Sequence, residues 1–130
     1  MPLRQDLTVY QGQTFSKTYA HYEGGSLADL TGYTARMKVR TRFGGSARAY
    51  LSTGADADGG TLTIDGGTVT IAMTAADTDA LATGVDLAEL MAGEYTPRRE
   101  QFVYDLELVN GATVTRAIEG VIELHRGVTT

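Results

Sequence analysis

The chain contains no cysteine and no tryptophan, and only 2 prolines among its 130 residues. Without cysteine the protein has neither disulfides nor thiolate metal ligands, and this usage agrees with a reducing compartment. Basic residues are also few, since 11 lysines and arginines stand against 16 aspartates and glutamates, for a net charge of −5. A general nucleic-acid-binding surface needs a basic excess, so we expect no nucleic-acid partner.

Long hydrophobic runs are missing as well. No apolar stretch approaches membrane-spanning length, and residues 1–6 contain no apolar core of a signal peptide. We therefore expect a soluble protein that carries no export signal and does not bind a membrane. The hydrophobic share of 42% is that of an ordinary globular chain, and the length predicts one domain over residues 1–130.

Glycine is abundant instead, with 16 residues, and it separates short stretches of alternating polarity. The clearest stretch follows a turn at Gly32 and runs from Tyr33 to Arg40, where every second residue is apolar. A period of two with one apolar and one polar side indicates a half-buried β-strand. Cations follow each other on its polar side, Arg36, Lys38 and Arg40, and Arg42 continues the pattern beyond the stretch. We call the first three the cationic stripe. We expect a solvated face there, balanced by acids on a neighbouring strand, with a protein contact surface as the alternative.

Similar patterns predict further strands over residues 6–10, 14–22, 47–52, 61–64, 68–73, 102–109 and 113–124. Asp65-Gly66-Gly67 predicts a hairpin turn between two of them. Thr74 and Asp77 are spaced like a capping box, which predicts a short helix over residues 75–83. About eight short strands with one short helix between two of them are typical of an immunoglobulin-like β-sandwich. The fold class we predict is therefore all-β, an immunoglobulin-like antiparallel sandwich with one short helix.

Two strand pairings follow from the patterns. Residues 33–40 and 102–109 each have one apolar face, and their opposite faces carry opposite charge, so we predict that they are antiparallel neighbours. Asn110-Gly111 is a strong hairpin signal. A two-residue loop would mix the faces, so we predict a three-residue loop, with Leu108 opposite Val114 and Tyr104 opposite Ile118. This register places Arg116 on the apolar side unless the strand contains a bulge.

No pattern of catalytic or ligand-binding residues stands out. Residues 56–60 begin like a calcium loop, but glycines occupy the positions of the third ligand, Gly60, and of the bidentate glutamate, Gly67. His21 and His125 are the only histidines, and neither has a second histidine at ligand spacing. The serines lie in no Gly-x-Ser-x-Gly elbow. We therefore expect no enzyme activity, no cofactor and no metal.

Four stretches of the chain carry structural motifs: QGQTF at 11–15, DLTGYTARMKVR at 29–40, FVYDLEL at 102–108, and VTR at 114–116 with Glu119-Gly120. Together they resemble small virion proteins of tailed bacteriophages. They are similar to the N-terminal immunoglobulin-like domain of phage baseplate upper proteins, which anchors receptor-binding parts to the tail. The resemblance spans most of the chain, from Gln11 to about Leu124, and none of its motifs is catalytic.

The resemblance implies a non-enzymatic structural virion protein that acts as a tail or baseplate adaptor and anchors other tail or fibre subunits. It implies other phage virion proteins as partners, a homo- or hetero-oligomeric state, and synthesis in the host cytoplasm before assembly into the virion. Head decoration or a neck position is the close alternative. A host-surface or carbohydrate-binding module is the alternative from another class, although sugar sites usually need clustered exposed aromatics and this chain has no tryptophan.

The chain departs from the family pattern at residues 85–101, which are inserted between the short helix and the 102–108 strand. It also lacks the long downstream fibre of multidomain members, so a stand-alone adaptor or decorating subunit is expected. The insertion is too short to hold a core of its own, and its apolar side chains must pack on the sandwich or on another subunit. We predict a protein interface made by the insertion and the cationic stripe, through Leu87, Leu90, Met91, Tyr95, Arg98, Arg99, Arg36, Lys38 and Arg40.

Overall fold

A computed structural model describes residues 3–40, 47–81 and 99–125 of the chain. Most of these residues lie in strands, and the predicted all-β fold with a short helix is confirmed. The elements are β1 (Leu3–Arg4), β2 (Leu7–Tyr10), β3 (Phe15–Ala20), β4 (Tyr22–Glu23), β5 (Ser26–Leu27), β6 (Thr34–Arg40), β7 (Ala47–Ser52), β8 (Thr61–Asp65), β9 (Thr68–Met73), α1 (Ala75–Leu81), β10 (Arg99–Asn110) and β11 (Thr113–His125).

Nine of these strands form one curled sheet, in the order β1-β11-β10-β6-β7-β8-β9-β3, with β2 also paired to β11. Strands β7 and β8 share a single parallel pair, Ser52 with Thr61. We call the strands on one side of this pair, β1, β2, β11, β10, β6 and β7, the front layer, and β8, β9 and β3 the back layer. The sheet is mixed rather than wholly antiparallel as predicted, because β1 and β2 run parallel to β11. Strands β4 and β5 form a separate hairpin.

The alternation of β6 places the core between the layers. Ala35, Met37 and Val39 are buried, while the cationic stripe lies on the opposite side of the strand. Strand β10 pairs antiparallel with β6, as predicted, and sets Leu106 opposite Met37. The back layer contributes its own buried residues to the same cluster, among them Leu62, Val69, Ile71 and Met73. Each fully buried Leu, Ile or Met side chain stabilises the fold by about 1.5–3 kcal/mol, so this core dominates the stability.

The predicted capping box starts helix α1. The Thr74 N–H donates to Asp77 Oδ2 at 3.0 Å, and the Asp77 N–H donates to Thr74 Oγ1 at 3.1 Å, so two free donors at the helix start are satisfied reciprocally. The buried hydroxyl of Thr78 donates to the carbonyl oxygen of Gln13 at 2.8 Å and fixes the helix against the chain entering β3. The last described residue of the helix, Leu81, is buried in the core.

The register predicted for the last hairpin is wrong. The loop has two residues, Gly111 and Ala112, and Leu108 lies opposite Thr115 rather than Val114. Gly111 has φ +60°, the conformation that a type II′ turn requires at its first central position. A bulge between Leu106 and Glu107 then shifts the register by one residue, so Tyr104 faces Gly120 instead of Ile118.

The bulge follows from two consecutive buried residues, Ala117 and Ile118. A regular strand cannot bury both on one face, and the extra residue, Ala117, lets Ile118 face the core while Arg116 faces outward opposite Glu107. Without the bulge, a β11 that turns Ile118 toward the core would also bury Arg116. With the bulge, Arg116 faces outward.

An N-terminal clamp, made of Gln5, Asp6, Tyr104 and Gly120, fastens β1 and β2 to β11. The Gln5 N–H donates to the carbonyl oxygen of Glu119 at 3.0 Å, and Asp6 Oδ1 accepts the Val121 N–H at 3.0 Å. The Tyr104 hydroxyl donates to the carbonyl oxygen of Gln5. A side chain at position 120 would place its Cβ against that same oxygen, so the close approach of the two segments requires glycine.

Some predicted features lie outside the described residues, and one lies in a different element than predicted. Residues 41–46 and the insertion up to residue 98 lie outside the described residues. Residues 99–101, which were predicted to belong to the insertion, are the first residues of β10. Over 3–40, 47–81 and 99–125, no helix has the length and apolar character needed to cross a membrane.

Candidate functional site

The side of the front layer that faces away from the core, which we call the outer face, collects the charged residues. Alternation puts the cationic stripe there from β6, and the same alternation puts Asp105 and Glu107 there from β10. Arg36 lies opposite Glu107, and Lys38 lies opposite Asp105. The stripe and the acids of the next strand therefore share one surface.

Arg36 forms an ion pair with Glu107 on this face. Its Nε lies 2.8 Å from Glu107 Oε1, and the Glu107 side chain is only 25% exposed. The hydrogen bond to Glu107, and then the charge of that carboxylate, raise the pKa of the Arg36 guanidinium. Exposed pairs of this kind stabilise a protein by only about 0.2–1 kcal/mol, so the pair orients the two side chains more than it stabilises the fold.

Arg116 occupies the next position across the sheet, on β11. Its Nε lies 3.5 Å from Asp105 Oδ2, and its Nη1 lies 3.9 Å from Glu119 Oε2. Asp105 is paired with Arg116, and its cross-strand neighbour Lys38 makes no ion pair with any residue that the structure describes. The outer face is thus a lattice of alternating charges in which the exposed Lys38 is unpaired among the described residues.

The start of the possible calcium loop is tied to the same layer. The Ser52 hydroxyl donates to Asp56 Oδ1 at 2.7 Å, and this hydrogen bond lowers the pKa of the Asp56 carboxyl. Asp58 pairs with Tyr50 through two backbone hydrogen bonds of 2.8 and 2.7 Å. Within the described ranges, no group of three or more His, Cys, Asp and Glu side chains is placed to hold a metal ion. The carboxylate of Asp56 therefore serves the loop conformation.

Two groups of exposed side chains with large apolar parts lie outside the charged lattice. Tyr22 is 63% exposed and Leu27 is 51% exposed, and they face each other across the β4–β5 hairpin. Tyr10, at the end of β2, is half exposed and packs its ring 5.0 Å from that of His125. The sequence analysis did not predict this hairpin, although the Gly24-Gly25 pair between Glu23 and Ser26 is a hairpin signal.

The structure brings together only part of the predicted interface. Arg36, Lys38 and Arg40 lie in sequence on one face of β6. Arg99 belongs to the first pair of β10 with β11, opposite His125. The other predicted residues, Leu87, Leu90, Met91, Tyr95 and Arg98, lie outside the part of the chain that the structure describes.

No family model matches the chain, and no curated protein matches it.

Proposed function

We propose that the protein is a non-enzymatic structural protein of a tailed-bacteriophage virion, an adaptor in the tail or baseplate that anchors other tail or fibre subunits. The observation that carries this proposal is the strand order. Strands β11, β10, β6 and β7 take the places of G, F, C and C′ in an immunoglobulin variable-type sheet, and β3, β9 and β8 take those of B, E and D. This order supports an immunoglobulin-like domain, the fold implied by the resemblance to baseplate upper proteins.

The outer face suits an adaptor that recognises its neighbours by charge. Cations and anions alternate across three strands, from Arg36 through Glu107 to Arg116. Such a pattern gives orientation and partner selectivity more than affinity, because charged rims exclude mismatched partners. The affinity then comes from apolar contacts, for which the Tyr22–Leu27 hairpin and the insertion are the proposed sources.

In this proposal the partners are other virion proteins, and the protein works as part of a homo- or hetero-oligomer. Contacts through Lys38 are the most accessible to test, because this ammonium group forms no ion pair with a described residue. A partner carboxylate placed opposite Lys38 completes the alternation of the lattice.

Immunogold electron microscopy of intact virions tests the location. An antibody raised against the purified chain is expected to label one end of the tail. Label over the capsid instead assigns the protein to head decoration, and label at the junction assigns it to the neck. Particles without label, from a lysate in which the antibody detects the protein, contradict the proposal.

The exposed tyrosines are the feature of the described residues that favours a carbohydrate-binding module. Tyr10 and Tyr22 offer rings that a sugar could stack on, but they belong to different sheets. A glycan array probed with the purified chain separates the two classes of function. The adaptor proposal expects no hits, whereas saturable binding that is lost in Tyr22→Ala or Tyr10→Ala favours the binding module.

A further inference from the structure

The end of the β10–β11 hairpin carries an edge that is paired on one side only. Strand β1 begins its pairing with β11 at Leu3, opposite Ile118. Residues 113–116 precede this point, and all four are exposed. Within the part of the chain that the structure describes, they pair with β10 alone. We call residues 113–116 the free edge.

The register fixes which backbone groups point away from β10. Asn110 and Thr113 flank the two-residue loop, and such flanking residues form a closed hydrogen-bonded pair. Hydrogen-bonded and non-hydrogen-bonded pairs alternate along an antiparallel ladder. The N–H and C=O groups of Val114 and Arg116 therefore point outward along the free edge.

The side chains of the free edge favour strand pairing and do little to prevent it. Thr113, Val114 and Thr115 are β-branched, which suits an extended strand. Val114 is 47% exposed and lies beside Val109 on the outer face. Natural edges are usually guarded by lysine, proline or an inward-pointing charge, and this edge has only Arg116 at one end.

We propose that the free edge pairs antiparallel with the same edge of a second copy of this chain, around a two-fold axis at Val114. In this register the outward groups of the two Val114 residues hydrogen-bond to each other, and their side chains come into contact. Each Thr113 then lies opposite Thr115 of the other copy, a favourable cross-strand pair. The two sheets become continuous through an isologous contact.

Charge selects this register over its neighbours. An axis at Arg116 would place the two arginines face to face, and it would set Val114 opposite Ile118, where Leu3 already pairs. An axis at Thr115 would make the two arginines diagonal neighbours. An axis at Val114 keeps them apart, because each Arg116 then lies beside the hairpin loop of the other copy. Like charges opposite each other destabilise a strand pair.

The contact is small, and this sets its strength. A stable interface buries about 1,200–2,000 Å², which four residues of one edge cannot supply. Association of free chains is therefore weak, and it becomes effective where neighbouring copies are already held together at high local concentration. The inference is independent of the proposed function, because it concerns the purified chain in solution.

Sedimentation of the purified full chain over concentrations up to about 1 mM tests the proposal, with amide shifts of residues 112–116 followed over the same series. The wild type is expected to form dimers at the upper concentrations, with the shifts confined to the free edge. Val114→Pro removes one outward N–H at an edge position that tolerates proline, and it should weaken dimerisation at least about tenfold. The matched control, Val114→Thr, keeps the N–H and the β-branched shape and should stay within about threefold of the wild type.

Val114→Lys covers the case in which the proline variant fails to fold. It leaves the backbone intact and sets two ammonium groups face to face on the axis, so it should also abolish the dimer. Two results overturn the proposal. One is a wild-type chain that stays monomeric throughout the series, which leaves the edge to a strand of a different protein. The other is a dimer that Val114→Lys and Val114→Pro leave unchanged.

Discussion

Two tyrosines differ in what their hydroxyl groups contribute. The Tyr104 hydroxyl donates to the Gln5 carbonyl oxygen in the N-terminal clamp. The Tyr19 hydroxyl is buried and has no hydrogen-bond partner among the described residues. Tyr104→Phe leaves a carbonyl without its donor and should lower the free energy of unfolding by about 1–3 kcal/mol. Tyr19→Phe removes an unsatisfied group and should be neutral or stabilising. Urea denaturation gives the free energy of unfolding of both variants. An equal loss of stability in the two would contradict the role assigned to the Tyr104 hydroxyl in the clamp.

The same two side chains predict how stability depends on pH. Burial raises the pKa of the Tyr19 phenol to about 12 and holds that of Tyr104 well above its usual range. The tyrosines of the unfolded chain ionise at about pH 10. Folding therefore favours the neutral phenols. Their contribution to the free energy of unfolding is fully present below about pH 10 and is lost as the pH rises from there through the pKa of the folded state. Urea midpoints measured across this interval should fall, and they should fall less steeply in Tyr19→Phe.

Among the elements, β6 has one buried face that stabilises the fold and one solvent-facing side that carries the cationic stripe. Met37 is 1% exposed, and Met37→Ala should cost about 2–5 kcal/mol because it leaves a cavity in the core. Lys38→Glu places a carboxylate opposite Asp105 on the solvent side and should cost about 1 kcal/mol. Chemical denaturation gives the order of the two effects. The assignment of the faces is contradicted if Lys38→Glu unfolds the chain while Met37→Ala is silent.

The elements also show which structural features an alternating sequence pattern predicts and which it does not. Strict alternation predicted β6, β10 and their pairing, because a period of two specifies which face is buried. It did not predict that β2 runs parallel to β11, since the pattern of Leu7 and Val9 is the same in either direction. The register of β10 and β11 was also missed, because the loop has two residues instead of three and because a regular ladder cannot contain the bulge at Ala117. The consecutive apolar pair Ala117-Ile118 was the local signal for it.

At the scale of the whole molecule, the outer face could be predicted only in part. The cationic stripe could be predicted from the alternation of β6 alone, and the acids that face it from the alternation of β10. The position of Arg116, which pairs with Asp105, depends on three strands and one bulge. The clamp was not predictable either, because it joins Gln5 to Tyr104 and Gly120 across the chain.

The insertion gives a prediction about assembly. Replacing residues 85–98 by a glycine-serine linker of equal length leaves β10 intact, and we expect a folded chain that fails to join the virion. Circular dichroism checks the fold, and complementation of a phage that lacks the gene checks incorporation. A matched variant changes only Leu87, Leu90, Met91 and Tyr95 to serine, and it should fail in the same way if apolar contacts carry the docking. Normal incorporation of both variants would make the insertion a surface loop.

The proposed function makes the protein a structural part of a tailed-phage particle. Quantitative mass spectrometry of virions purified by density-gradient centrifugation is the direct test. Peptides of this chain are expected to stay with the infectious particles through purification, in a constant ratio to the major tail protein. Recovery of the protein only in the soluble fraction of the lysate, with none in the particles, would contradict it.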